Sequence, residues 1–563
     1  MSKLFRLGVL ILLFMPLMTH PANSQSLFQG PASGSVASGA SVSTTDFSVA
    51  QQAAASQQVL LKRALGKHKI DLLPTPANVR QPLGPIGSNV VIEKGQVKTA
   101  AATAPTLVSN FIGIPDDGLV IPPDPHMAAG PNHVIATVNQ KFAIFDKAGT
   151  KLFEIDADSW FDNVQLNASP FDPQIVYDHH AGRWVMAWVG GNLTTEAFYL
   201  ISVSDDSDPL GTWFNWSIPA NQNGSTPTDN LNDYPKIGVD EFNIYLTSNQ
   251  FLLSFPFTFQ YVQLRVIEKT QMYNNSAGSV GGVTWDDFWD LRDPESLTNT
   301  VFTVVPAVTF GTPGVEYMIN DSEFTTGTFM TVWTVNSPDP NDGTAMSLSA
   351  NNVSVTASEE PPDANQLGGG SPLIDVGGRR VRNAVYNSGS IWTAHSIADA
   401  TGTYADARYV RIDVNTNTAL EDAALHLDGF WHFYPAIQVD NNLNMVMGYS
   451  RSGDTEYAGA FFTGRLDTDP AGELAPSTLL KAGEDNYVKT FGGTRNRWGD
   501  YSGIALDPST GNIWMLLEYA AAQVAGEARW GTWFGEVNFG GGADVPPTIT
   551  STPNTTATVG DPY

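Results

Sequence analysis

One phrase occurs seven times between residues 122 and 519, and this repeat restricts the folds that the chain can adopt. Its clearest copies are Tyr234-Pro-Lys-Ile-Gly-Val-Asp240 and Tyr434-Pro-Ala-Ile-Gln-Val-Asp440. Each copy has the pattern of a strand, a turn of Asp, Gly or Asn, and a second strand rich in β-branched and aromatic residues. The proline position of the copies falls at 125, 173, 235, 306, 383, 435 and 502, so the spacings are 48, 62, 71, 77, 52 and 67 residues. One four-stranded sheet per copy fits these spacings, which predicts an all-β protein with a β-propeller of seven four-stranded blades.

The composition agrees with a fold that contains many turns. The 563 residues include 51 Gly and 36 Pro, and only 15% are charged. Gly and Pro supply the backbone geometry of tight turns. Aromatic residues make up 11% of the chain and include 14 Trp, enough to form a large apolar core.

Four segments are predicted along the chain. Residues 1–24 have a basic start, an apolar run and the small-residue site Ala22-Asn-Ser24, which is typical of a signal peptide. Residues 25–105 form a low-complexity leader and linker, of which 25–58 is expected to be disordered. The propeller is predicted over 106–540, and 541–563 follow as a linker and the first strand of another module. The chain is therefore expected to be secreted or displayed at the cell surface.

Several function classes are excluded by composition. The chain has no Cys, which excludes a thiol enzyme and Cys-ligated zinc, and it also excludes disulfides in an exported protein. Residues 106–563 contain 20 basic and 54 acidic side chains. Such a body repels nucleic acid, because binding to phosphates needs clustered cations. No segment after the signal has the roughly 20 apolar residues of a membrane-spanning helix.

The C-terminal residues resemble the opening of another domain type. Pro546-Pro-Thr-Ile-Thr-Ser-Thr-Pro553 and Ala557-Thr-Val-Gly-Asp-Pro-Tyr563 are similar to the first strands of Ig-like or dystroglycan-type cadherin-like modules of bacterial surface proteins. This resemblance implies that further C-terminal modules are missing from the sequence, whereas a stray C-terminal tail is the alternative.

Three further segments resemble phrases of secreted bacterial propeller proteins, which are mostly uncharacterised. They are Ser202-Val-Ser-Asp-Asp-Ser-Asp-Pro-Leu-Gly-Thr-Trp213, Gly448-Tyr-Ser-Arg-Ser-Gly453 and Arg497-Trp-Gly-Asp-Tyr-Ser-Gly503. The first is similar to the Asp-box turn of sialidases, with a longer spacing before Gly211. In those families the box is a structural hairpin turn, so the resemblance implies a fold rather than catalysis.

The resemblance to sialidases also implies a set of catalytic residues. A sialidase needs three arginines that converge on a carboxylate, a Tyr/Glu nucleophile pair and an Asp acid. Arg382, Arg451 and Arg497 are the arginines in suggestive positions. Nothing in the sequence makes them a triad, and each also fits a surface pair or a pair between blades.

The residues that open each repeat are expected to meet at one mouth of the central channel. This holds if the strand that they open is the innermost of its blade, as in sialidase-like propellers. The polar and aromatic residues at these positions are Asp124, His126, Asp172, Gln174, Asp233, Lys236, Arg382, His432, Tyr434, Asp500 and Tyr501. They predict a polar funnel, with Arg451 and Arg497 as further ligand-binding candidates.

Three interpretations of the four carboxylates remain open. Two of them across the funnel could be the acid and base of a glycosidase. Several could bind Ca²⁺ through oxygen, which makes calcium a possible cofactor. Alternatively, Asp-Pro and Asp-Tyr-Pro only turn the chain into the strand. Asp124 and Asp172 stand one residue before the proline position and Asp233 and Asp500 two before it, so in regular strands the two pairs need not face the same way.

Two functions compete on this basis. The leading hypothesis is a non-catalytic, exported propeller that binds a glycan or protein ligand, because no intact catalytic motif is present. The alternative is a glycoside-active enzyme that uses Asp124, Asp172, Asp233 or Asp500.

Overall fold

The computed structural model describes residues 26–48, 102–192, 195–254, 257–322 and 327–540, together with the backbone of Val90–Ile92. The predicted signal peptide and the resemblance at residues 546–563 lie outside the described residues. Strands dominate, and the helical elements are α1 (Ala157–Phe161), α2 (Thr270–Tyr273) and a 3-10 turn at Thr44–Asp46. None of the helices in these ranges is long and apolar enough to cross a membrane.

The strands follow one another as antiparallel runs. The first four are β1 (Gln29–Val36), β2 (Ala40–Ser43), β3 (Val90–Ile92) and β4 (Thr106–Pro115). The next eight are β5 (His126–Ala129), β6 (His133–Val138), β7 (Lys141–Asp146), β8 (Lys151–Asp156), β9 (Phe171–Asp178), β10 (Arg183–Gly191), β11 (Ala197–Ser204) and β12 (Thr212–Pro219).

The middle of the chain adds two small hairpins and two longer runs. These strands are β13 (Gln222–Asn223), β14 (Thr226–Pro227), β15 (Asn230–Val239), β16 (Asn243–Leu252), β17 (Phe259–Glu268), β18 (Val283–Trp289), β19 (Arg292–Asp293), β20 (Ser296–Thr300), β21 (Val305–Pro306), β22 (Val308–Thr309), β23 (Glu316–Asp321), β24 (Phe329–Asn336) and β25 (Ser347–Ser354).

The last part of the chain contains three more runs. Its strands are β26 (Asn383–Asn387), β27 (Ser390–Ala398), β28 (Ala405–Asp413), β29 (Thr418–His426), β30 (Phe430–Val439), β31 (Met445–Gly453), β32 (Glu456–Arg465), β33 (Thr478–Lys481), β34 (Gly503–Leu506), β35 (Ile513–Val524) and β36 (Glu527–Asn538).

The sheets form a β-propeller with five separate blades, not the seven that the repeat predicts. The separate blades are β5-β6-β7-β8, β9-β10-β11-β12-β2, β21-β23-β24-β25, β30-β31-β32-β33 and β34-β35-β36-β4. The remaining two runs, β15-β16-β17-β18-β1 and β26-β27-β28-β29-β3, share one eleven-stranded sheet. The physical reason is β22, which pairs in parallel with β15 through Val239 and with β26 through Val385 and Tyr386. A two-residue parallel pairing leaves no periodic signal in the sequence.

The opening strands of the repeats surround a common channel. Each inner strand contacts the next one around the ring, in the order β5, β9, β15, β22, β26, β30, β34 and back to β5. Each of these strands begins at the same end of the channel, so the residues that precede them are brought together there.

The N-terminal leader differs from its predicted disorder at residues 26–48. Strand β1 pairs with β18 from Gln29↔Trp289 to Val36↔Val283, and β2 pairs with β12. Gly34 allows this approach, because a Cβ there would lie 2.4 Å from the Trp285 ring. The leader therefore extends two sheets at their outer edges, where exposed backbone groups are available for pairing.

Tryptophan side chains fill the space between sheets. Trp160, Trp184, Trp188 and Trp213 are fully buried in one cluster between the first two blades. The segment that resembles an Asp box is the β11–β12 turn. There Asp206 and Asp208 accept backbone N–H bonds and the Trp213 indole donates to the Pro209 carbonyl. In this chain the segment forms a turn that is held by its own hydrogen bonds and by the buried Trp213.

Candidate functional site at the channel mouth

The chain turns into the inner strands through unusual backbone geometry. Asp124, Asp172, Tyr234 and Tyr434 each precede a proline and have φ of 47°, 52°, 53° and 51°. A left-handed backbone is sparsely populated by residues with side chains and is disfavoured before proline. The β15–β16 and β30–β31 ladders shift register at the same points. These bulges interrupt the alternation of side chains between the two faces of a strand. Asp124 and Asp172, one residue before the proline position, therefore lie near Asp233 and Asp500, two residues before it.

Asn139 joins the first two aspartates. Its amide nitrogen donates to Asp124 Oδ2 at 2.5 Å, and its amide oxygen accepts from the Asp172 backbone N–H at 2.7 Å. The other oxygen of Asp124 accepts from the Asp500 backbone N–H at 2.7 Å, and Asp172 Oδ2 accepts from the Tyr234 N–H at 3.1 Å. Four inner strands are therefore tied together through two buried carboxyl groups.

The carboxyl groups of this cluster resist ionisation. Burial and the neighbouring carboxylates of Asp500 and Asp172 raise the pKa of Asp124 well above its usual value. Burial, followed by Asp233 and Asp500, raises the pKa of Asp172 to about 8. Burial and Asp500 raise the pKa of Asp233 to about 7, although Arg380 and Arg497 act in the opposite direction. Carboxyl groups this close cannot all carry a charge, so the cluster retains protons at neutral pH.

Arginines surround the carboxyl groups without forming a convergent triad. Arg497 donates to Asp500 Oδ2 at 3.0 Å. Arg382 donates to the Tyr234 hydroxyl at 3.0 Å and to the Gly378 carbonyl at 2.8 Å. Arg380 lies over the Tyr234 ring, 5.0 Å from its centre.

Part of this cluster reaches the surface. The side chains of Asp500 and Asp375 are 21% and 14% exposed, and Arg495, which pairs with Asp375, is 36% exposed. Asp233 is also half-buried, and within the described ranges its carboxyl group has no hydrogen bond. We call the set Asp124, Asp172, Asp233, Asp375, Asp500, Arg380, Arg382, Arg495, Arg497, Tyr234 and Tyr434 the polar mouth. Its exposed members present both acceptors and donors to a ligand.

Below the polar mouth lies a cavity of about 320 Å³ inside the channel. One end of it is lined by His126, Gln174, Lys236 and Arg382. Its walls are lined by aliphatic side chains together with His179, Asn383, Gln438 and Asp507. Lys236 Nζ lies 4.3 Å and 4.1 Å from the ring centres of Tyr234 and Tyr501. We call this space the channel cavity.

The predicted residues divide into two groups. The first group lies in or directly beneath the polar mouth. In the mouth are Asp124, Asp172, Asp233, Arg382, Tyr434, Arg497 and Asp500, and beneath it are His126, Lys236 and Tyr501. His432 lies elsewhere: it is buried against Tyr449, between other side chains of its blade. Arg451 is also separate, because it pairs with Glu456 and lies over Phe461.

Sequence reasoning missed Asn139, Arg380, Asp375 and Arg495. Arg380 lies in Gly377-Gly-Arg-Arg-Val-Arg382, directly before an inner strand. This run of basic residues could have indicated further cations at the channel mouth. Asn139 follows β6 and has no signal of its own, because its role depends on two strands from different repeats. Among the described residues, no three Asp, Glu or His side chains are arranged to hold a metal ion. Calcium binding therefore stays a prediction.

Comparison with known proteins gives similarity in fold alone. No protein-family model matches the chain, and no curated protein matches it. Trypanosoma rangeli sialidase in complex with the inhibitor DANA is similar at 10% identity and a TM-score of 0.36, over 73% of this chain and 57% of the sialidase chain.

Two other solved structures show the same level of similarity. An α-L-arabinofuranosidase from Fusarium graminearum has 10% identity and a TM-score of 0.33, over 66% of this chain and 98% of that chain. An ulvan lyase has 11% identity and a TM-score of 0.35, over 77% of this chain and 91% of the lyase chain. This chain spans little more than half of the length of the sialidase.

Proposed function

We propose that this protein is exported and binds a glycan at the polar mouth, at the bacterial cell surface or outside the cell. The observation that carries this proposal is the partly exposed group of Asp233, Asp500, Asp375 and Arg495 at the end of the channel. Carboxylates and guanidinium groups bond sugar hydroxyls with defined directions. The signal-like N-terminus supports export.

The polar mouth is held in place before a ligand arrives. Asp500 is fixed by Arg497 through its side chain and by Asp124 through its backbone N–H. The Tyr234 hydroxyl donates to the Asp500 carbonyl at 3.2 Å, which adds a third contact to the same residue. Such preorganisation lowers the entropy that a ligand must lose on binding.

Glycoside hydrolysis is a second candidate, favoured by the chemistry of Asp233. Its carboxyl group has a pKa raised to about 7 by burial and by Asp500, and it is free of hydrogen bonds to described residues. A protonated carboxyl group of this kind can donate its proton to a glycosidic oxygen. Asp500, paired with Arg497, would then be the carboxylate that acts as base or nucleophile.

A glycan array and a set of chromogenic glycosides distinguish these functions when the whole chain is tested with and without Ca²⁺. We expect glycan binding without turnover, and we expect Asp500→Asn to weaken it at least tenfold. The matched control is Asp413→Asn, because Asp413 is the last residue of β28 and lies at the turn into β29, outside the polar mouth. Turnover that Asp233→Asn abolishes would establish the enzyme instead. If neither binding nor turnover occurs, the glycan proposal fails and a protein ligand becomes the subject of the search.

A further inference from the structure

The channel cavity differs in chemistry from the polar mouth. Apolar side chains from several inner strands line its walls: Ile175, Val176, Ile237, Val305, Val308 and Ile504. The polar side chains of His179, Asn383, Gln438 and Asp507 lie among them. Its volume of about 320 Å³ lies at the lower end of the range for small-molecule sites. The cavity thus combines walls that are largely aliphatic with an end formed by His126, Gln174, Lys236 and Arg382.

Lys236 is a buried amine without a counter-ion. Its side chain is 2% exposed, and within the described part of the chain Nζ has no hydrogen-bond partner. It contacts the faces of Tyr234 and Tyr501 only as a cation over two rings. Burial, and then the adjacent Arg382, lowers its pKa to about 7, whereas Asp172 and Asp500 raise it. A buried amine is costly unless it is paired, so this position needs an explanation.

Arg382 adds a second cation at the same end. Its two terminal nitrogens donate to Tyr234 and to backbone carbonyls, while its Nε has no partner among the described residues. The nearby carboxylates are occupied: Asp172 accepts from the Tyr234 N–H and Asp500 from Arg497. Two buried cations therefore lack an ion pair in a chain with a net charge of −28.

His126 is a third donor at this end. Its Nδ1 accepts a hydrogen bond from the Ile175 N–H at 3.3 Å, and burial, followed by Lys236, lowers its pKa to about 3. The ring is therefore neutral, and its proton is on Nε2. All three groups act as donors, and a ligand that matches them must be an acceptor.

We propose that the channel cavity binds a small organic acid, with its carboxylate at Lys236 and Arg382 and its apolar body along the channel walls. This site shares Arg382 with the polar mouth but lies below it, and it does not depend on the proposed glycan binding. A carboxylate supplies the missing counter-charge, and a hydrocarbon body matches the walls by removing apolar surface from water.

The cavity has a route for such a ligand. Asn441 and Pro508 line it at the end opposite the polar mouth, and both are exposed to solvent. The lysine can adjust, because no hydrogen bond holds its ammonium group over the two rings and its four-carbon stem is flexible. A ligand that enters past Asn441 can therefore draw Nζ from the tyrosine faces towards its carboxylate.

Isothermal titration at pH 6 with octanoate tests the proposal, because Lys236 is protonated there. We expect one octanoate per chain and binding at least tenfold weaker for methyl octanoate, which lacks the charge, and for acetate, which lacks the apolar body. Lys236→Met should weaken octanoate binding at least tenfold. Lys481→Met is the matched control, since Lys481 also lies over two rings, Tyr519 and Trp533, but does not line the cavity.

A second variant keeps the test decisive if Lys236→Met fails to fold. Val308→Phe narrows the channel without changing its charge, and it should abolish octanoate binding while leaving glycan binding at the polar mouth intact. Octanoate binding that is unchanged in both variants would overturn the proposal. Equal affinity for octanoate and its methyl ester, or no binding of either, would also overturn it.

Discussion

At the scale of residues, the polar mouth depends on a backbone conformation that costs energy. Each left-handed residue other than glycine costs on the order of 1–3 kcal/mol, and Asp124, Asp172, Tyr234 and Tyr434 all adopt it before a proline. Asp124 and Asp172 offset part of this cost by accepting backbone N–H bonds from neighbouring inner strands. Strain of this kind concentrates at functional sites, which agrees with a ligand site at this end of the channel.

The raised pKa of Asp172 leads to a pH-dependent stability. An unfolded Asp titrates near pH 4, whereas burial, Asp233 and Asp500 raise the folded pKa of Asp172 to about 8. Between these values the folded state holds the proton and the unfolded state does not. The free energy of unfolding should therefore fall as pH rises from about 4 to about 8.

Asp172→Asn should flatten this slope, because the amide keeps the acceptor for the Tyr234 N–H and does not titrate. The parent protein should lose free energy of unfolding between pH 5 and pH 8, as measured by urea unfolding. In Asp172→Asn we expect this loss to be smaller by on the order of a few kcal/mol. Asp413→Asn is the control, since hydrogen bonds from Asn415 and Thr416 lower the pKa of that carboxyl group. An unchanged slope in Asp172→Asn would show that Asp172 is already ionised at neutral pH.

At the scale of elements, the leader strands are part of the folded structure. β1 covers β18, where Val283 and Trp285 are buried, and the Ser33 hydroxyl donates to Asp286 at 2.6 Å. These contacts join residues about 250 positions apart, so the low-complexity sequence of the leader gives no sign of them.

Removal of residues 26–48 should therefore lower the melting temperature by several degrees. The deletion exposes the Trp285 side chain of β18 to solvent, and it leaves the outer edges of two sheets unpaired. Gly34→Val should act in the same direction, because its side chain would collide with the Trp285 ring and the Gly224 carbonyl. Ser35→Ala is the control, since Ser35 is exposed on the same strand. A melting temperature within a degree of the parent in the deletion would mean that β1 and β2 contribute nothing to stability.

At the scale of the whole molecule, the ring is closed by strands from its two ends. β4 pairs antiparallel with β36 from Thr106↔Asn538 to Pro115↔Gly531, with two register shifts along the ladder. Thr532 is buried at this junction, and its hydroxyl accepts from the Ile114 N–H at 2.8 Å and donates to the Ile114 carbonyl at 2.9 Å. Closure through one antiparallel pair places this hydroxyl at the point where β4 and β36 meet.

Thr532→Val should destabilise the whole ring by about 1–3 kcal/mol, because it leaves buried backbone groups of Ile114 without a partner while it keeps the side-chain volume. Thr532→Ser retains the hydroxyl and should recover most of this loss. Differential scanning calorimetry should show one transition shifted to lower temperature. A separate early transition, with the main one unmoved, would show that the closing pair unfolds independently of the ring.

The repeat by itself determines that the protein is an all-β propeller, because alternation and turn residues act over a few positions and recur at blade-like spacings. It also predicts that Asp124, Asp172, Asp233 and Asp500 meet, since equivalent repeat positions lie at one radius. Only the tertiary structure decides the rest: β22 merges two runs into one sheet, the leader adds two strands, and Lys236 lies unpaired between two tyrosine rings. These features depend on contacts between distant segments, for which a single sequence has no local signal.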